Sequence, residues 1–113
     1  MHEMALCESV LKILESNARN QGFSAVKTVW LEIGDLAGVD PEAMRFSFDA
    51  VTRGTLADHA SLEIINVPGK AWCMPCGCNV NVKQRFDACP TCGSYQLQVV
   101  GGDEMKVKEL EVE

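Results

Sequence analysis

Positive charge is scarce in this chain. Ten Lys and Arg stand against sixteen Asp and Glu, a formal charge of −6. An acidic surface repels phosphate, and the basic stripe of a nucleic-acid-binding module is missing. Long apolar runs are missing too, so no segment reaches the length a membrane span requires. The opening residues hold Glu3 and Glu8 where a secretory leader would carry Lys or Arg. These absences predict a soluble, cytoplasmic protein with neither nucleic-acid nor membrane partners. No set of nucleophile, base and oxyanion donors stands out, which argues against a hydrolase and for a protein without catalytic activity.

What the chain does have is cysteine at a telling spacing. Cys73-Met74-Pro75-Cys76 and Cys89-Pro90-Thr91-Cys92 are two Cys-x-x-Cys pairs separated by twelve residues, the spacing of a zinc site. Gly77 and Gly93, one residue past each pair, allow the positive φ that a tight knuckle needs. Cys73, Cys76, Cys89 and Cys92 would close one tetrahedron, leaving no position for water, so Zn(II) there is structural and cannot act as a Lewis acid. Cys78 is an alternative to Cys76 as a ligand, although Gly77 at the turn favours Cys76. Disulfides would call for an oxidising compartment, and a thioredoxin-type pair would occur once, at a strand-to-helix junction.

With 113 residues, 47% of them hydrophobic and 23% charged, one modest core is expected. About 25 to 30 residues around the knuckles could not fold without a staple, and zinc supplies it. The centre adds −4 + 2 = −2, which cancels the +2 of Lys70, Lys83 and Arg85 against Asp87.

In chain order, Leu6, Val10, Ile13, Leu14 and Ala18 recur at helical spacing and predict an amphipathic helix from about Glu3 to Asn20, with Cys7 in the core. Val29, Leu31 and Ile33 alternate with Thr28, Trp30 and Glu32, predicting a strand closed by Gly34. Asp40 as N-cap, Pro41 at N1 and Glu42 in the first turn open a second helix through Met44, Phe48 and Val51. Residues 61–66 alternate as a second strand, ended by Pro68-Gly69. After Gly101-Gly102, Met105 and Val107 are in step, but Leu110 and Val112 are one residue out, which predicts a bulge near Lys108 and Glu109. The expected fold is α+β, a small three-stranded sheet with two helices plus an inserted zinc-ribbon-like domain. The boundaries are 1–68 with 101–113 for the α/β domain, and 69–100 for the zinc domain.

Met1-His2-Glu3 offers a second kind of chemistry. The Met1 α-amine, the His2 amide and imidazole, and the Glu3 amide can close adjoining chelate rings on one metal. First-turn amides have no intrahelical carbonyl partner, so their deprotonation breaks no helix bond. Planar four-nitrogen ligation suits Ni(II) or Cu(II) rather than Zn(II). The Glu3 or Asp40 carboxylate could offset the positive helix end. His59, beside Asp58, reads as a solvated loop residue.

Met1-His2-Glu3, the run from Val29 to Gly34, the run from Phe46 to Asp49, and the paired knuckles together resemble the HypA/HybF family of hydrogenase nickel-incorporation proteins from end to end. The resemblance implies a nickel metallochaperone acting in [NiFe]-hydrogenase maturation. Ni(II) would be transported at Met1, His2 and Glu3, with structural Zn(II) on Cys73, Cys76, Cys89 and Cys92. It implies a hydrogenase-maturation GTPase and the hydrogenase large-subunit precursor as partners. Some relatives carry histidines just past the knuckles, where this chain has Gly77, Cys78 and Gly93. Two other readings stand beside it: a zinc-ribbon interaction module with an idle N-terminus, holding one metal, and a small thiol oxidoreductase that would lose zinc readily.

Overall fold

The computed structural model describes residues 2–113. Its elements run α1 (His2–Gln21), β1 (Val26–Gly34), α2 (Pro41–Thr52), β2 (Ser61–Val67), β3 (Gly69–Cys73), β4 (Cys78–Val82), β5 (Leu97–Gly101) and β6 (Met105–Val112). This is the expected α+β fold, with two helices, one three-stranded sheet in the order β2-β1-β6, and a second sheet in the order β4-β3-β5. The chain forms two compact units, one of Met1–Leu31, Val39–Ile64 and Val107–Glu113, the other of Glu32–Gly38 and Ile65–Lys106.

In the first unit α1 buries Cys7, Val10 and Leu14, while Ile13, expected on the same stripe, is 46% exposed. Positions 7, 10 and 14 already fill a narrow a/d-type face, and Ile13 lies beside it. Cys7 is core as expected: its thiol donates toward the Met44 carbonyl at 3.5 Å. The helix α2 begins as the sequence reads, with Asp40 Oδ1 accepting the Glu42 N–H at 3.0 Å and Pro41 in the first turn. That bond satisfies an amide the helix itself cannot. Val29 and Leu31 point into the core from β1, alternating with Thr28 and Trp30, which are only half-buried.

The bulge in β6 leaves a trace in side-chain pairing. Lys106 Nζ lies 3.8 Å from Glu32 Oε1, and Thr28 Oγ1 donates to Glu111 Oε1 at 2.8 Å. Glu32 and Thr28 are four residues apart on β1, whereas Lys106 and Glu111 are five apart on β6. An odd step would switch faces in a regular strand, so β6 contains one extra residue between them. Lys108 and Glu109 are accordingly both exposed, and Met105, Val107 and Leu110 are half-buried; Val112 is left exposed.

The second unit is built on β3, which pairs antiparallel with β4 on one side and β5 on the other, with a register shift at Lys70/Ala71 on the β5 side. Ala71, Cys73, Val80 and Val82 point inward and meet Cys89 and Leu36. Leu36 comes from the loop after β1. Its carbonyl accepts from Arg85 Nε at 3.2 Å, and its amide donates to the Gly102 carbonyl at 2.8 Å. Gly34 and Gly102 make this approach feasible, since a Cβ on Gly34 would overlap the Gly102 carbonyl and one on Gly102 the Pro68 carbonyl.

Candidate metal centre

Each Cys-x-x-Cys pair sits in a knuckle closed by backbone. The Gly77 N–H donates to the Cys73 carbonyl at 2.9 Å and the Gly93 N–H to the Cys89 carbonyl at 2.8 Å. Gly77 has φ +64 and Gly93 φ +76, as the sequence requires. Cys73 ends β3 and Cys89 follows a loop, so the sheet delivers one knuckle and the loop the other.

The two knuckles bring Cys73, Cys76, Cys89 and Cys92 together, with all four sulfurs within 4.8 Å of one another. Cys73 Sγ lies 3.6 Å from Cys92 Sγ, and Cys76 Sγ lies 3.9 Å from Cys89 Sγ. A tetrahedron with Zn–S of about 2.3 Å has edges of about 3.8 Å, so these separations fit zinc. They are far longer than the S–S bond of about 2.05 Å in a disulfide. Cys78 is exposed and stands across the β3–β4 ladder from Cys73, outside the group.

Backbone amides aimed at the sulfurs favour thiolate. The Cys92 N–H, with the Thr91 N–H behind it, brings the Cys89 thiol down to about 6. The Cys76 N–H pulls Cys73 the same way, but burial and the neighbouring thiols outweigh it and Cys73 is raised. Cys76 is raised chiefly by its contacts with the thiols of Cys92 and Cys73. Four crowded sulfurs cannot all ionise unaided; a divalent cation among them removes that obstacle. The arrangement is a closed four-sulfur set, suited to holding a fold together.

At the other candidate site, Met1 lies outside the described residues. His2 opens α1 with its ring 59% exposed and Nδ1 3.7 Å from Glu3 Oε2. The same carboxylate oxygen accepts the Asp40 N–H at 3.2 Å, and this bond is the main reason the Glu3 carboxyl is held below its usual value. Asp40 turns its own carboxylate to the α2 cap. Among the described residues the side chains of His2, Glu3 and Asp40 do not form a metal-ligating group of their own. His59 is exposed, 3.7 Å from Asp58, and joins no such group. Sequence reasoning offers the Asp40 carboxylate to the start of α1, whereas the structure brings the Asp40 amide there, to Glu3; it passes over the Arg85–Leu36 bond, which joins residues more than 35 positions apart with nothing local to signal it.

A small α+β protein with a four-cysteine cluster consistent with a structural zinc site is the class these features define. Known proteins narrow it. The profile described as "Hydrogenase/urease nickel incorporation, metallochaperone, hypA" matches residues 1–112, and the chain belongs to that family. It is 63% identical over 113 residues to the hydrogenase maturation factor HypA of Alkalilimnicola ehrlichii, covering all of both chains. It is 60% identical over the same length to the one from Acidithiobacillus ferrooxidans, again with full coverage of both. Its fold is that of the solution structure of the Ni metallochaperone HypA from Helicobacter pylori, with TM-score 0.70 and 20% identity over 97% of this chain and 96% of that one.

Proposed function

We propose that this protein carries Ni(II) at its N-terminus during maturation of [NiFe]-hydrogenase and passes it to the large-subunit precursor, with a maturation GTPase as partner, in the cytoplasm. Nickel is cargo here, bound by the Met1 α-amine, the His2 amide and imidazole, and the Glu3 amide. Zn(II) on Cys73, Cys76, Cys89 and Cys92 holds the second unit and takes no part in transfer. The protein performs no reaction of its own. The observation that carries this reading is the placement of His2, whose exposed ring stands at the first residue of a helix beside the Glu3 carboxylate. Amides in that turn have no helical acceptor to lose, and a carboxylate nearby favours a cation. The four-sulfur cluster supports the structural role of zinc, since a closed tetrathiolate offers a delivered ion no open position.

The test is nickel titration of untagged protein followed by metal analysis. The expected outcome is one zinc and one nickel per chain, with the absorption of planar nickel. Either His2→Ala or a short extension before Met1 abolishes tight nickel binding while zinc content and fold persist. An α-amine titrates at about 7.7 to 8.0, so affinity falls as pH drops and protons compete for the ligands. Undiminished affinity in the extended protein would place nickel elsewhere and refute the N-terminal site.

A further inference from the structure

We propose that the zinc lobe docks an acidic peptide segment of a partner protein, taking one apolar side chain into a groove lined by Phe86, Tyr95 and Arg85. This goes beyond the nickel reading and does not depend on it.

The groove starts from a turn with the wrong residue in it. The Asp87 N–H donates to the Gln84 carbonyl at 3.3 Å, and Asp87 Oδ2 accepts the Gln84 N–H at 3.0 Å. Phe86 stands third in that turn with φ +71, the position a type II turn reserves for Gly or Asn. A bulky side chain at positive φ is a genuine outlier. Here it gains nothing from packing, for Phe86 is 93% exposed. Strain of this kind persists where the surroundings hold it, and it clusters at sites with a function. Tyr95 is likewise 76% exposed. Both residues line a cavity of about 130 Å³ whose other apolar lining is Ala71, Val82, Leu97 and Val99. An enclosed apolar cavity of about 150 Å³ accepts a benzene ring, so this smaller, open groove has room for one apolar side chain and no more.

Charge decides the flanks of that side chain. Lys83 and Arg85 are exposed, and among the described residues neither belongs to an ion pair. Arg85 Nε is tied to the Leu36 carbonyl, which restrains a guanidinium whose side chain also lines the groove. Asp87 is occupied with the Gln84 amide. Lys83 and Arg85 are thus left as exposed cations without a carboxylate partner, although the lobe as a whole is close to neutral once zinc is bound. Two unpaired cations beside exposed aromatic rings attract Asp and Glu, turn away Lys and Arg, and so select an acidic segment.

Short random peptides selected on the untagged, zinc-loaded full chain test this directly. The enriched sequences should carry Phe, Trp, Leu or Ile flanked by Asp or Glu, and their binding should weaken as salt rises. Backbone NMR shifts on binding should fall on Gln84 to Asp87 and Tyr95 to Val99. Phe86→Gly with Tyr95→Ser should lower affinity about tenfold or more. Phe86→Gly alone should leave zinc content unchanged and the lobe no less stable, because Gly suits that φ; a packing role would predict the reverse. Failure to enrich any binder, enrichment without acidic flanks, or affinity untouched by the double substitution would overturn the proposal. So would a dimer in sedimentation that Phe86→Gly dissociates, since the occupant would then be a second copy of this chain.

Discussion

The helix–sheet unit and the zinc lobe fill their interiors with different materials. In the first, Val10 and Leu14 of α1, Val29 and Leu31 of β1, and Met44 and Phe48 of α2 are all buried. In the second, the buried cluster is Leu36, Ala71, Val80 and Val82 with Cys73 and Cys89, so a third of it is sulfur of the metal centre. Burial of hydrocarbon grows with area and is lost piecemeal. Metal ligation is all-or-none, because a tetrahedron missing a corner has lost much of its binding energy. A small lobe can therefore be held firmly, but through few points.

The sharpest break in this comparison comes from Cys89→Ser, or from a strong chelator. Structural zinc contributes about 10 to 16 kcal/mol in small zinc modules, far more than the lobe's few aliphatic side chains can replace. Zinc should be released and the β3–β4–β5 signals should collapse in NMR, while α1 and α2 stay helical; a variant with full zinc and an unchanged lobe would exclude Cys89 as a ligand.

Leu14→Ala probes the other interior with a smaller effect. Removing this fully buried side chain should cost about 2 to 5 kcal/mol in denaturant unfolding of the helix–sheet unit, with zinc content unaltered at low denaturant. Zinc lost at the same denaturant concentration as helix would show that the two interiors do not melt separately.

The smallest effect concerns pH. Burial, helped by the Glu3 charge, pushes the Cys7 thiol up to about 11 from its ordinary 9.0. The folded form thus holds its proton more tightly than the unfolded one. Its contribution is complete below about pH 9 and is lost as pH rises toward about 11. Cys7→Ala should flatten this alkaline decline in denaturant midpoints, although it lowers stability at neutral pH by leaving a small cavity.

Much of the fold is legible in the sequence because its signals are local. Helical spacing, the Asp40-Pro41 start, the alternation around Val29 and the broken step at Lys108-Glu109 each need only a few neighbouring residues. The knuckles are legible for the same reason, since spacing and a following Gly carry the geometry. What escapes is whatever depends on distant partners. Leu36 sits alone in a loop with no periodicity to reveal that it fills the zinc lobe. The sheet β4-β3-β5 hides in plain alternation, with Val80 and Val82 alternating with Asn79 and Asn81, because the cysteines draw attention first. The Phe86 turn is invisible because its residue contradicts its conformation. At the N-terminus, the Glu3–Asp40 bond joins residues that only the fold makes neighbours.

The crowded glycines around the Leu36 loop bear on how portable the zinc lobe is. Leu36 is part of the lobe's interior although it precedes the knuckles by more than 30 residues, and it reaches there across backbone that tolerates no Cβ at Gly34 or Gly102. Anyone grafting this lobe onto another scaffold would have to carry the Gly34–Gly38 loop along as a separate strip of chain. Two cuts would excise the cysteines; four are needed to excise something that folds. The lobe travels badly, because part of its interior is lodged in a stretch of chain that the cysteines do not bracket.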